Sequence, residues 1–543
     1  MARELETNRR DFLQAAGLGM AQTMMAGTAL AASDQQRPAA SSLKRFEWEE
    51  ATIVQLQAAM ASGRETAVSL AKKFLERIDT LDERGPKLKA VLEMNPEALV
   101  IARSLDEERK SKGSRGPLHG IPVLLKDNID THDRMMTTAG SLALLGSIAP
   151  RDSFVAQRLR EAGAVILGKT NLSEWANFRG ERSTSGWSGR GGQTKNAYAL
   201  DRNPSGSSSG SAVAVAANLC SVAVGTETNG SIISPSTVCG IVGIKPTVGL
   251  VSRSGIIPIS HTQDTAGPMA RSVEDAAILL GVLTGIDPRD RATSTSQGKS
   301  HKEYRQFLDP SGLRGARLGV AQRYLRAAGI TTKPLEAAID GIGRLGAVVV
   351  DLPEDSLQGA FGDAQREVLL YEFRAGVNVY LSSLGLSAPV RTLKQVIEFN
   401  EKNKERELPH FGQETLIKAE EKGPLTEKAY LDALEKCRRL SRDEGIDAVM
   451  EKHQLDAILA PSGGPAGKTD WILGDRGLGG SSSLAAVAGY PNITVPAGQI
   501  VGLPFGISFI GGAHSEPKLL KLAFAFEQSS KARKAPQFLP TVG

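Results

Sequence analysis

Two apolar runs, residues 121–125 and 165–167, each end at a lysine, Lys126 directly and Lys169 after Gly168. A helical segment at 154–162 separates them. Short apolar runs of this kind read as buried strands, and strand, helix, strand in succession reads as a βαβ-like unit. A chain built around that unit is committed to α/β architecture. Composition agrees: 57 glycines supply turns, and 41% hydrophobic residues are ample for a core.

The lysines carry chemical interest as well. Lysine is almost never fully buried unless paired. Held beside an apolar wall it loses basicity, because desolvation disfavours its charged form, and it can then act as a base near neutral pH. The competing reading is a lysine reaching from a strand end to water. On this pattern Lys169 rivals Lys126.

Around this unit the chain reads as mostly helical at first. Helices begin near Thr52, and Ala67, Leu70, Ala71, Phe74, Leu75 and Ile78 fall on one helical face. A third helix lies near 96–112. Residues 179–201 form a long loop with three glycine-rich turns. A helix at 273–283 and a strand near 317–320 follow, and residues 334–442 look like a charged helical cover over one side of the site. Strands near 456–461, 493–496 and 502–511 and a helix near 517–528 complete the chain.

The N-terminal 31 residues are read as a targeting segment. Arg9-Arg10-Asp11-Phe12-Leu13 is a twin arginine before an apolar pair, and Ala29-Leu30-Ala31 offers a cleavage site. This resembles a bacterial Tat export signal and implies a periplasmic or secreted protein. Gln14, Gln22 and Thr23 interrupt the stretch and weaken a membrane-anchor reading. Residues 32–45 read as a polar linker, and 46–535 as the folded domain, with 285–450 as its variable helical part. No later run of about 18 unbroken apolar residues occurs, so no membrane association is expected once the signal is removed. The net charge of +5 does not point to nucleic acid. Three cysteines, Cys220, Cys239 and Cys437, cannot complete a disulfide framework and read as buried thiols. Neither they nor the scattered histidines suggest a metal site, and no cofactor is expected.

The chemistry concentrates in residues 203–254. Serine-glycine clusters at 205–211 and 229–231 flank a helical run of small residues and a short apolar strand. Dense glycine lets backbone N–H groups approach a ligand, and serines there offer nucleophiles and proton carriers. Three chemistries compete. Gly206-Ser207-Ser208-Ser209-Gly210 matches the hydrolase elbow GxSxG with Ser208 at its centre and His453 or His514 as base, but the residues before it are polar and broken by Pro204, where the elbow needs a strand. A phosphate cradle at the helix start lacks the Gly-Lys-Ser/Thr of a Walker motif. The third chemistry uses serine and lysine without histidine.

Six blocks, in order, carry a resemblance for that third chemistry: GIPVLLKDNID, GAVILGKTNLSEWA, NPSGSSSGSAVAVAANL, AVGTETNGSIISPSTVCGIVGIKPTVGLVSR, QDTAGPMARSVEDAA and GYPNITVPAG…GLPFGISFIGG. Together they resemble the amidase signature family, most closely its bacterial peptide amidases, over residues 52–528. The resemblance implies one large α/β domain, a central mixed β-sheet covered by helices. It implies a Ser–cisSer–Lys triad: Ser231 the nucleophile, Ser207 the proton relay, Lys126 the base. Lys169 belongs to a family strand outside the triad. Backbone amides of 228–231, from Thr228, Asn229, Gly230 and Ser231, are the implied oxyanion donors. Two departures stand out: Asn229 where relatives often have glycine, and Ile233 where they often have arginine. Asparagine tolerates a left-handed turn; Ile233 removes a cation and argues against small acidic substrates.

The implied activity is hydrolysis of amides, with C-terminally amidated peptides as substrates and ammonia as product. Fatty-acid, aryl or other small amides are the alternative. A tRNA-dependent transamidase component fits an export signal poorly. A small-molecule or peptide amide is thus the expected partner, acting on a monomer or homodimer.

Overall fold

In the computed structural model, described for residues 46–385, 388–475 and 479–542, the βαβ unit is where the sequence placed it. The export signal expected at 1–31 and the linker at 32–45 lie outside the described residues. Strand β2 (Pro122–Lys126) and strand β3 (Val165–Thr170) pair in parallel, with the helix Phe154–Glu161 between them in sequence. Ser153 caps that helix by accepting the Ala156 amide at 3.1 Å.

Eleven strands form one mixed sheet. Besides β2 and β3 these are β1 (Val91–Met94), β6 (Val222–Glu227), β7 (Val242–Lys245), β8 (Thr265–Ala270), β9 (Arg317–Ala321), β10 (Val348–Leu352), β11 (Ala457–Gly463), β12 (Asn492–Ile500) and β13 (Leu503–Ile510). The order across the sheet is β1-β3-β2-β6-β8-β7-β12-β13-β11-β9-β10. β2 is parallel to β3 on one side and to β6 on the other, and all its residues are buried. Strands in such a position are apolar without alternation, which is why residues 121–125 read so clearly. Strands β4 (Trp187–Ser188) and β5 (Gly192–Gln193) form a separate small hairpin inside the long loop.

Helices cover the sheet. The helix Ala67–Ile78 is capped by Thr66 and buries Leu70, Phe74 and Ile78 completely or nearly so, each contributing about 1.5–3 kcal/mol. The helix Ser209–Ala216 is made of small residues and is buried at every position. A Cβ on its Gly210 would fall 2.5 Å from the Asn171 carbonyl oxygen and 2.7 Å from the Asn171 nitrogen. Only glycine lets this helix lie against the start of the loop after β3.

The cover differs in part from the sequence reading. Residues 362–438 do form helices, and Leu370, Phe373, Val377 and Leu381 of the helix Gly362–Ser383 pack against Leu172, Trp175, Ile257 and Ile259. Yet β9 and β10, from the same 285–450 segment, belong to the main sheet and form one of its edges. The fold also continues past residue 535: the Phe538 amide donates to Ala197, and Leu539 accepts from Leu200 at 2.8 Å.

A buried charge cluster clamps the cover to the loops beneath it. Arg179 is fully buried and donates to Glu174 at 2.8 Å and to the Glu407 backbone carbonyl, while its guanidinium lies over the rings of Phe411 and Trp187. The Glu407 carboxylate accepts the Leu142 amide at 2.6 Å. Burial and the neighbouring Glu174 hold the Glu407 carboxyl far above its usual range. Cys220, Cys239 and Cys437 are all buried free thiols. Among the described residues, no helix is long and apolar enough to cross a membrane.

Candidate active site

Lys126 ends β2 with no exposed surface. Its amine lies 2.8 Å from Ser207 Oγ, 2.9 Å from Thr226 Oγ1 and 3.3 Å from the Thr226 carbonyl. Asn128, two residues on, donates to Thr226 Oγ1 at 3.0 Å and fixes that hydroxyl. Desolvation lowers the Lys126 amine from 10.5 to about 7, against the opposing fields of Asp264 and Glu227.

Ser207 follows a cis peptide bond from Gly206 and closely precedes the helix Ser209–Ala216. Its carbonyl accepts the Ser173 amide at 3.1 Å. The other serines of the cluster are engaged elsewhere. Ser208 Oγ donates to the Thr226 carbonyl at 3.0 Å and accepts its amide at 3.2 Å, so the central serine of the GxSxG match is bound to the C-terminal end of β6. Ser209 Oγ donates to the Ser205 carbonyl at 2.6 Å, and Ser211 pairs with Thr170. Of these serines, Ser207 is the one that meets the lysine.

Ser231 stands on the turn between β6 and the helix Ile233–Val238 and is 8% exposed. The two serine loops are joined by the Ser208 amide, which donates to the Ser231 carbonyl at 3.1 Å. The Ser231 hydroxyl itself makes no hydrogen bond among the described residues. Glu227 shapes this turn: its carboxylate accepts the amides of Gly230 at 2.8 Å, Ile232 at 2.7 Å and Ile233 at 3.0 Å. Thr228 donates its hydroxyl to Asp264 at 2.6 Å, and Asp264 also accepts the amides of Ile259 and Ser260. Burial raises the Asp264 carboxyl to about 6.

Two sequence expectations are refined here. The left-handed residue of the turn is Gly230, at φ +82°, and Asn229 has no positive φ. Asn229 instead acts as a tie, with its side chain bonded to Ser482, Ser483 and Gln365. The Gly230 amide is bound by Glu227, so the amides on this turn without a partner among the described residues are those of Thr228, Asn229 and Ser231. The rival lysine has other neighbours: Lys169 donates to the Ile129 carbonyl at 2.7 Å and to Thr137 at 2.9 Å and hydrogen-bonds no serine. His453 and His514 hydrogen-bond no serine; their backbones serve Arg317 and Thr247. Sequence reading missed the roles of Thr226, Asn128, Glu227 and Asp264. The one signal available was position, since all four fall inside the six motif blocks.

A cleft of about 720 Å³ opens beside both serine loops. Ser205, Ser234 and the segment 462–472 line it, whereas Lys126, Ser207 and Ser231 are not among its lining residues. The size is typical of small-molecule sites.

Set against known proteins, this arrangement falls into one chemical class: the chain is a hydrolase of amide carbon–nitrogen bonds. It belongs to the amidase family, the amidase signature family anticipated by the motifs, and matches it over residues 69–520. A probable amidase of Arabidopsis thaliana is 45% identical over 504 residues, covering 91% of this chain and 93% of that protein. The solved structure of native peptide amidase from Stenotrophomonas maltophilia is similar at 52% identity and a TM-score of 0.87, covering 91% of this chain and all of that one. A glutamyl-tRNA(Gln) amidotransferase chain of Methylobacillus flagellatus is 34% identical, covering 88% of this chain and 96% of that protein.

Proposed function

We propose that this amidase removes the terminal carboxamide nitrogen of amidated peptides as ammonia, using Ser231 as nucleophile, Ser207 as relay and Lys126 as base. One observation carries the catalytic part: a fully buried lysine amine 2.8 Å from the Ser207 hydroxyl, with both oxygens of Thr226 as its other partners. A neutral amine has two N–H bonds and one lone pair. If Thr226 accepts both N–H bonds, the lone pair is left to receive the Ser207 proton.

The steps then balance. Ser231 Oγ bonds to the amide carbon and its proton passes to Ser207, whose own proton passes to Lys126. The oxyanion meets the amides of Thr228, Asn229 and Ser231. The carbon–nitrogen bond breaks as the relay returns the proton to the leaving nitrogen, giving ammonia and an ester on Ser231. Water, deprotonated through the same relay, releases the acid. The last link, from Ser231 Oγ to Ser207 Oγ, forms by movement of the Ser231 side chain; catalytic hydrogen bonds commonly tighten only with substrate bound.

The substrate assignment is supported by 52% identity to a peptide amidase, against 34% to the tRNA-dependent amidotransferase chain. Ile233 is consistent with it, placing no cation beside Ser231 for an acidic substrate. The twin arginine of residues 9–10 supports export to the periplasm or beyond. Ammonia release from an N-acetylated dipeptide amide and from a long-chain fatty amide tests the reading. We expect kcat/KM for the peptide to exceed that for the fatty amide by about tenfold or more, roughly the discrimination one well-fitted contact region supplies. A preference for the fatty amide, or no ammonia from either, rejects it.

A further inference from the structure

Three consecutive large apolar side chains stand in solvent beside the cleft that Ser205 and Ser234 line. Trp471 is 47% exposed, Ile472 83% and Leu473 51%. Trp471 and Ile472 line the cleft directly. Such a run on a protein surface marks a binding surface or a liability, and how firmly its segment is held decides between them.

Here the segment is tied along its length. The Asn203 amide donates to the Gly467 carbonyl at 2.8 Å, and the Thr469 amide to Asp201 at 3.1 Å. Thr184 Oγ1 donates to the Asp470 carbonyl at 2.7 Å. The Asp470 carboxylate accepts the amides of Ile472 and Leu473 at 3.0 and 2.9 Å, which sets the turn that carries them. Asp475 accepts the Ser185 amide at 2.9 Å and Asn203 Nδ2 at 3.2 Å.

Trp471 is fixed further at its ring. Its indole N–H donates to Gln193 at 3.2 Å, and its plane lies on His410 at 4.7 Å and 15°. His410 meets Trp187 edge-on at 5.6 Å. One face of the indole is therefore backed by an aromatic stack and its polar atom is satisfied. What remains open is an immobilised apolar plate, which loses little side-chain freedom when it takes a ligand.

The geometry points to a specificity subsite: we infer that the plate formed by Trp471 and Ile472 takes an apolar side chain of the substrate peptide upstream of its amidated residue. The inference rests on the peptide reading above and adds to it the class of side chain preferred. The cleft gives the direction. It is bordered by Ser205, one residue before the cis peptide, and by Ser234, whose hydroxyl would lie 2.9 Å from a Cβ placed on Gly230. Its other wall is the tied segment. The cleft thus borders residues next to both serine loops, and a chain whose terminal amide reaches Ser231 can leave through it, past Trp471.

The test compares acetyl-Phe-Phe-Gly-amide with acetyl-Gly-Gly-Gly-amide in the full-length protein and in Trp471→Ala and Trp471→Phe. We expect the wild-type ratio of kcat/KM to favour the phenylalanine peptide, and Trp471→Ala to shrink that ratio about tenfold, mainly through KM. Trp471→Phe should keep most of it. An unchanged ratio, or the same loss in Trp471→Phe as in Trp471→Ala, overturns the inference. Calorimetric binding of the phenylalanine peptide to Ser231→Ala provides a readout free of turnover. A Kd weakened about tenfold by adding Trp471→Ala upholds the subsite even if no ammonia is released and the peptide-amidase reading has failed. Unchanged binding, or Trp471-dependent binding to phosphatidylcholine vesicles in place of the peptide, sinks it.

Discussion

Ser231→Ala is expected to lower kcat for ammonia release by roughly 10⁴-fold or more, the scale on which losing a nucleophile acts when its partners work as a unit. Its melting temperature should stay within about 2 °C of the parent, because substitutions that break no contact are close to neutral. The Ser231 hydroxyl makes no hydrogen bond among the described residues, so its removal strands no partner. Ser208→Ala is the informative contrast, since that hydroxyl holds both the amide and the carbonyl of Thr226. An activated acyl probe should label Ser231 in the parent and leave Ser231→Ala unlabelled. Turnover that survives the substitution, or labelling at Ser208, would return the nucleophile to the GxSxG cluster.

The second large effect concerns Lys126. As base it works only when neutral, so kcat/KM should rise with pH through a single ionisation near 7, where burial places its amine. Lys126→Met should lower kcat by about 10³-fold or more and abolish that limb. The same amine also leaves a mark on stability. In the unfolded chain it keeps its proton up to its ordinary value of 10.5; in the folded chain it gives it up above about 7. Between those values the unfolded state binds more protons, so this group makes stability rise with pH across the window, by an amount on the order of a few kcal/mol. Denaturant titrations at pH 7 and pH 9 should show that gain in the parent and a smaller one in Lys126→Met. A pH–rate profile flat between 5.5 and 8.5 would exclude Lys126 as the base.

The strands that announced themselves were those whose local pattern and final position agree. β2 is sandwiched between parallel neighbours and is apolar throughout, so residues 121–125 were legible, as was the capped helix at Thr66. β8 was not, because Gly267 and Pro268 interrupt its apolar pattern. Proline normally avoids interior strands, yet Pro268 sits opposite Val224 in the middle of the sheet. β10 was absorbed into a region read as helical, although Val348-Val349-Val350 is a β-branched run whose parallel partner β9 lies just across the helix Thr332–Arg344. At the site, two lysines at two strand ends looked alike in sequence. Tertiary position separates them: one faces Ser207, the other the Ile129 carbonyl and Thr137. Resemblance supplied Ser207 and Ser231. The carboxylates that brace the Thr228–Ser231 turn, Glu227 and Asp264, became visible only once their partners were in place.

Arg179 has a wider consequence. One guanidinium enclosed with two carboxyls, Glu174 and Glu407, leaves an excess negative charge unless one acid keeps its hydrogen. The Glu407 carboxyl, held far above its normal range, is the one that does. Docking the helices around Glu407 therefore draws a hydrogen ion out of neutral solution, and that ion becomes part of the architecture as much as any side chain. Because the folded state holds it and the unfolded chain does not, alkalinity works against this seam, loosening it as the medium climbs through the raised value. At Lys126 the folded state instead sheds a proton, so these two buried groups answer to acidity in opposite senses.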